Sequence, residues 1–200
     1  MRFSTVELQH LFRAWLIISV AFAILLSGGF SFTEQFLVAV VMAAITVGLG
    51  FLLHELAHKF LAQRYGCIAE FRAFDTMLVF ALVMSFFGFI LAAPGAVFIH
   101  GNVNTARNGR ISAVGPLVNI ALAVVFFILL LFFNMVYPES ILTVLARYGL
   151  MINGWLALFN MLPFWQLDGA KVLKWNKKIY GLMIAAAIFA MMLPGFAIGG

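Results

Sequence analysis

The sequence predicts an all-α polytopic membrane protein with five to six transmembrane helices, a re-entrant or broken segment, and a short β element near the candidate site. Three observations carry this. Hydrophobic residues make up 65% of the chain and charged residues 10%, at a mean hydropathy of +1.11, far from the composition of a soluble domain. Several apolar stretches reach the roughly 20 residues needed to cross a bilayer. The basic residues behind the net charge of +5 sit at the ends of those stretches, where they orient spans, and so point to a lipid bilayer and not to nucleic acid. Spans and short connections consume the 200 residues, so a single membrane-embedded domain over 1–200 is expected, with its core at about 36–170. The lone Cys67 excludes an internal disulfide framework and lacks the paired spacing of a thiolate metal site; it reads as a small buried residue.

The first span is expected from His10 to Ser27. Its long polar leader and the absence of an A-x-A-like site favour a retained helix over a cleaved signal peptide. A second span starts near Phe36, runs without charge to Leu53, and exits near Arg64-Tyr65-Gly66. Gly66 is a helix stop, and Lys59 and Arg64 lie in the last turns, where the helix dipole favours cations. Polar and apolar residues alternate over Cys67–Asp75, which suits a short amphipathic strand. Thr76–Ile90 is apolar and of helix length, whereas Leu91–His100 contains the Pro94-Gly95 breaker and reads as extended. About fifteen helical residues rise roughly 22 Å and ten extended ones return about 33 Å, so this segment can enter the membrane and come back. A full crossing is the competing path. Irregular backbone at that depth must line a cavity or be covered by protein, which places Ala92–His100 at the edge of the site.

The polar stretch His100–Arg110 has ordinary turn chemistry. A span from Ile111 to about Val136 follows, in which Ser112, Gly115 and Asn119 share a face: either a packing seam or, through Asn119, part of the site. A further span over Ile141–Leu162 carries Asn153 and Asn160 on one side and ends at Pro163. A last helix is expected from Lys174 to Pro194. If Thr76–His100 does not cross, then Arg2, Arg13, Lys59, Arg64, Arg72, Arg107, Arg110, Lys171, Lys174, Lys177 and Lys178 share one side, and Glu34 and Glu139 the other. The positive-inside rule makes the first side, with the N-terminus, cytoplasmic; Arg147 is the exception.

Within the second span lies His54-Glu55-Leu56-Ala57-His58, an H-E-x-x-H pattern. On a helix the two imidazoles project from one face and can grip one metal ion, with Glu55 beside them as a general base. The bland alternative is two core histidines bonded to their neighbours, which the cost of ionisable groups at membrane depth disfavours. A third ligand must come from elsewhere. Asp168, in the Asp168-Gly169 turn, is the best candidate, because Glu7, Glu34 and Glu139 belong to the wrong side or the N-terminus and Glu70 and Asp75 to the strand-like segment. His100 is the alternative. Three protein ligands leave an open position for water, the sign of a catalytic zinc site, and peptide hydrolysis is the reaction expected. A metal carrier using the same cluster as a transit site is the rival reading.

Taken together, H-E-L-A-H at His54–His58, G-P-L-V-N at Gly115–Asn119 and F-N-M-L-P-F-W-Q-L-D-G at Phe159–Gly169 make the chain resemble the site-2 protease family of intramembrane zinc metalloproteases. The resemblance implies that His54, His58 and Asp168 bind one zinc ion, that Glu55 activates water, and that Asn160 acts near the reacting carbonyl. It also implies a transmembrane protein as substrate and a compact member without appended soluble domains. The sequence departs from the family pattern at Gln166, where relatives often carry proline, and in the longer apolar stretch Thr76–Ile90. A substrate span must be unwound before attack, and Gly95–Ile99 is the expected edge strand to hold it extended.

Overall fold

The computed structural model describes residues 2–90 and 94–198. Helix α1 covers Thr5–Ser27, so part of the polar leader is helical. Its start is set by Ser4, whose hydroxyl accepts from the Glu7 N–H at 3.1 Å, an N-cap that the apolar pattern alone did not reveal. Helix α2 runs over Glu34–Arg64, capped by Thr33, and contains a π-helical turn at Ala44–Gly48 just before the H-E-x-x-H residues. Strand β1 (Ile68–Ala73), helix α3 (Asp75–Ser85) and strand β2 (Gly95–His100) follow. Then come α4 (Thr105–Val136), α5 (Ile141–Asn160), α6 (Asp168–Trp175) and α7 (Lys177–Ile198).

Five helices, α1, α2, α4, α5 and α7, are long and apolar enough to cross a membrane. Their outer faces expose large apolar residues such as Leu37, Ile128 and Phe189. Helix α4 is central: it packs on α2, α5, α6 and α7, while α1 lies against α2, α3 and β1.

The excursion between the strands returns to its starting point. β1 and β2 are antiparallel, with Ala73 opposite Gly95, and the Phe74 N–H donates to the Pro94 carbonyl at 3.0 Å. Two chain ends that are hydrogen-bonded to each other cannot lie on opposite faces of a bilayer, so the full crossing is excluded. Helix α3 ends at Ser85, short of the expected Ile90, and its 11 residues rise only about 16 Å. The extended reading of Leu91–Ala93 lies outside the described residues.

Two other expectations need correction. The polar stretch before Ile111 is helical from Thr105, because the Asn104 side chain accepts from the Arg107 N–H at 2.9 Å and starts α4 early. The last helix is two helices. Asn176 breaks the chain and caps α7, its side chain accepting from Lys178 N and Ile179 N, and Pro194 lies inside α7, not at its end. Lys59, in the last turns of α2, finds a partner that the sequence did not indicate. It is fully buried and ion-paired with Glu7, also fully buried, with the Phe3 ring 4.3 Å from its ammonium.

That pair also closes one side of the hairpin. Glu7 Oε1 accepts from the Phe71 N–H at 2.8 Å, His10 Nδ1 accepts from Ala73 N at 3.1 Å, and Gln63 donates to the Ala69 carbonyl. The outer edge of β1 is therefore occupied by side chains of α1 and α2. In an antiparallel pair, residues opposite each other orient their backbone groups alike, both inward or both outward. Phe71 points outward, so its partner Val97 does too, along with Gly95 and Ile99, and among the described residues β2 keeps an open edge.

Replacing Glu7 by Ala strands a buried ammonium and a buried Phe71 N–H; the expected loss is about 3–5 kcal/mol. Glu7→Ala combined with Lys59→Met should recover most of it. Denaturant titration in detergent micelles measures both, and a single variant as stable as the parent would show that the pair contributes nothing.

Candidate metal centre

The H-E-x-x-H turn of α2 puts His54 and His58 on the face turned toward α4, with ring centroids 4.6 Å apart and both residues buried. Close approach of α4 depends on Gly115: a Cβ there would come within 2.6 Å of His54 Nε2. The small-residue face read from the sequence is thus a real seam, and it passes directly over the imidazoles.

Both rings are oriented through Nδ1. His58 Nδ1 donates to the Ile111 carbonyl at 2.7 Å, and His54 Nδ1 donates to Asn119 Oδ1 at 2.6 Å. Asn119 is not merely a packing residue, then. It is fully buried, and its Nδ2 donates to the Gly50 carbonyl at 3.2 Å and to Asn153 Oδ1 at 3.1 Å. With Nδ1 carrying the hydrogen, each neutral ring presents the lone pair of Nε2 inward.

Asp168 meets those lone pairs. Its Oδ2 lies 3.2 Å from His54 Nε2 and 3.1 Å from His58 Nε2. The route to this position differs from the expected Asp-Gly turn. Pro163 ends α5, the chain turns through Trp165 at φ 56°, a left-handed conformation unusual for a bulky residue, and Asp168 begins α6. A carboxylate in a first turn is favoured by the helix dipole. Gly169 lets α6 press against the end of α5, since a Cβ there would collide with the Met161 and Leu162 carbonyls. Lys171 Nζ stands 3.8 Å from the other Asp168 oxygen, Oδ1.

Three acceptors therefore converge in a buried space, an arrangement that repels itself unless a cation stands between them. Zinc bonds of about 2.0–2.2 Å in tetrahedral geometry put ligand atoms about 3.4 Å apart, close to what these side chains already adopt. Among the described residues, His54, His58 and Asp168 are the group able to hold a metal ion in this way. The donor set fits zinc.

The other candidates fall in different places. Glu55 is half-buried next to the histidines and makes no hydrogen bond among the described residues. Asn160, at the last position of α5, donates one amide hydrogen to the Leu156 carbonyl at 2.9 Å and keeps the other. His100 is exposed at the end of β2 and is not part of the cluster. Asn153 and Lys171 were not singled out for the site from sequence. Asparagine in an apolar helix is the signal that points to Asn153, whereas a lysine in a basic segment gives none for Lys171.

Comparison with known proteins agrees with this chemistry. The chain is 43% identical over 156 residues to a Methanocaldococcus jannaschii protein named "Putative zinc metalloprotease", a match covering 77% of this chain and 80% of that one. A second protein of the same organism, named "Zinc metalloprotease", is 28% identical over 69% of this chain, which spans only 35% of that relative's length. No family model and no solved structure matches the chain.

Gly115→Ala should push α4 off the imidazoles and weaken zinc binding by about tenfold or more, the scale of disturbing a ligand's support. Zinc titration of chelator-stripped protein reads the affinity, and circular dichroism should show unchanged helicity. Parent-like affinity would mean that the seam does not define the centre.

Proposed function

Since this chain belongs to the zinc metalloprotease family of those relatives, we propose that it is an intramembrane endopeptidase of the site-2 protease type. It cuts peptide bonds within or beside transmembrane segments of other membrane proteins, the reaction of regulated intramembrane proteolysis. The observation that carries the reading is the convergence of His54, His58 and Asp168 beside an unpartnered Glu55, on helices of membrane-crossing length.

In this reading the five long helices span the bilayer with their apolar faces toward lipid, and the hairpin with α3 dips in and returns. The N-terminus is cytoplasmic, and water reaches the site from that side, where most basic residues gather. One zinc ion bound to His54, His58 and Asp168 would supply a Lewis acid and bring the pKa of a water to about 7. Glu55 takes the proton from the attacking water as the water oxygen bonds to the peptide carbonyl carbon. It then passes the proton to the leaving amine as the C–N bond breaks, which yields an acid and an amine. The free amide hydrogen of Asn160 donates to the carbonyl oxygen as it gains charge.

A helical substrate hides its carbonyls in its own hydrogen bonds, so the segment to be cut must be held extended. The open edge of β2 supports this role, because Gly95, Val97 and Ile99 turn their backbone groups outward whereas β1 is closed by Glu7, His10 and Gln63. Phe98 N–H faces β1 and is not on offer to a substrate.

With a purified single-span substrate, Glu55→Gln should keep zinc and lose about 10²- to 10⁴-fold in turnover, the usual contribution of a general base. Parent-like cleavage by that variant rules the mechanism out, and altered zinc flux into vesicles in its place would favour a carrier. Val97→Pro removes an outward donor and should slow cleavage by about tenfold with zinc retained, one mispaired backbone hydrogen bond's worth. Val97→Ala should cut normally; equal rates for the two variants argue against docking on β2.

A further inference from the structure

We infer that Asn153, which is not a metal ligand, is a positioning residue that acts together with the Gly50 carbonyl to hold Asn119 in the orientation that selects the tautomer of His54; the inference rests on the metal-centre reading above. A carboxamide can sit two ways. In one, Asn119 gives its oxygen to His54 Nδ1, so that ring nitrogen carries the hydrogen and Nε2 keeps the lone pair facing Asp168. Flipped, Asn119 would offer its NH₂ to Nδ1, and the ring hydrogen would move to Nε2, the atom needed for the metal. The choice between the two decides whether His54 can be a ligand.

Two acceptors bias the choice, the Gly50 carbonyl and Asn153 Oδ1, and removing the second leaves the first to hold Asn119 alone. The Gly50 carbonyl takes one Asn119 Nδ2 hydrogen at 3.2 Å, and Asn153 Oδ1 takes the other at 3.1 Å. Asn153 is itself held with its oxygen toward Asn119, since its own Nδ2 donates to the Gly149 carbonyl at 2.9 Å. The direction of every bond from Gly149 to His54 is thereby determined, with both asparagines fully buried and no water-facing alternative. The relay also ties α5, which leads into Asp168, to the helix carrying His54 and His58.

The test uses full-length protein with ¹⁵N-labelled histidine in detergent micelles, where long-range proton–nitrogen spectra report which ring nitrogen of His54 is protonated. A chelator competition measures the zinc Kd. Asn153→Leu should bring up the Nε2–H form and weaken zinc about tenfold, whereas Asn153→Asp, which keeps the acceptor, should retain the parent tautomer and a Kd within about threefold. A merely structural role predicts the reverse ranking, with the apolar isostere like the parent and the buried aspartate worst; that ranking overturns the proposal. If Asn153→Leu does not fold, Asn153→Asp decides alone, with a lost tautomer or lost zinc counting against the relay. Neither readout involves a substrate. A chain that binds zinc with the expected ranking yet cuts nothing refutes the protease reading and leaves the relay standing.

Discussion

Two imidazole lone pairs and a carboxylate oxygen, 3.1 and 3.2 Å apart, are a set of groups that oppose each other, and much of this fold serves to hold them together. Hydrogen bonds behind the rings prevent escape into another tautomer, with Asn119 behind His54 and the Ile111 carbonyl behind His58. Glycine at 115 lets α4 approach until those bonds can form, and the tight contact of α6 with the end of α5 fixes where the carboxylate arrives. Convergence of like charge or like lone pairs in a buried place is costly, and a cation between them offsets that cost. The same residues thus bring the opposing groups together and make the place a cation would occupy.

Around this centre the chain manages two other exposed liabilities of a small membrane-type fold. A two-stranded hairpin has two open edges, and an unpaired edge recruits other strands indiscriminately. Here α1 and α2 seal the β1 edge with Glu7, His10 and Gln63 and leave β2 open. Burying Glu7 is tolerable because it meets two demands at once, the ammonium of Lys59 and the amide of Phe71. That ion pair joins the first helix to the residue next to His58, so the element that closes one strand edge also anchors the helix of His54 and His58. The covered edge of β1 and the helix of His54 and His58 share one support.

Much of this was legible in the residues. Apolar runs of spanning length, the H-E-x-x-H spacing and the shared face of Ser112, Gly115 and Asn119 are local patterns with fixed periodicity, and the helices, the paired histidines and the seam follow from them. The strand–helix–strand excursion was legible as well, because alternation, a Pro-Gly breaker and arithmetic on segment length constrain it. Element boundaries were less so. Helix starts at Thr5 and Thr105 are set by the side chains of Ser4 and Asn104, ahead of the apolar pattern, and the start at Lys177 is set by Asn176, which divides the expected last helix in two.

The sequence by itself determined the set of long apolar helices, the pair of histidines with Glu55, and the short list of third-ligand candidates, because each depends on periodicity or residue type within one segment. The tertiary structure alone decided that Asp168 and not His100 joins them, that Asn119 bonds to a ring and receives support from Asn153, and that Glu7 pairs with Lys59. Those contacts link residues 34 to 114 positions apart. No local propensity encodes them; they exist only once helix packing has brought small residues together and left each buried polar group a single place to find its partner.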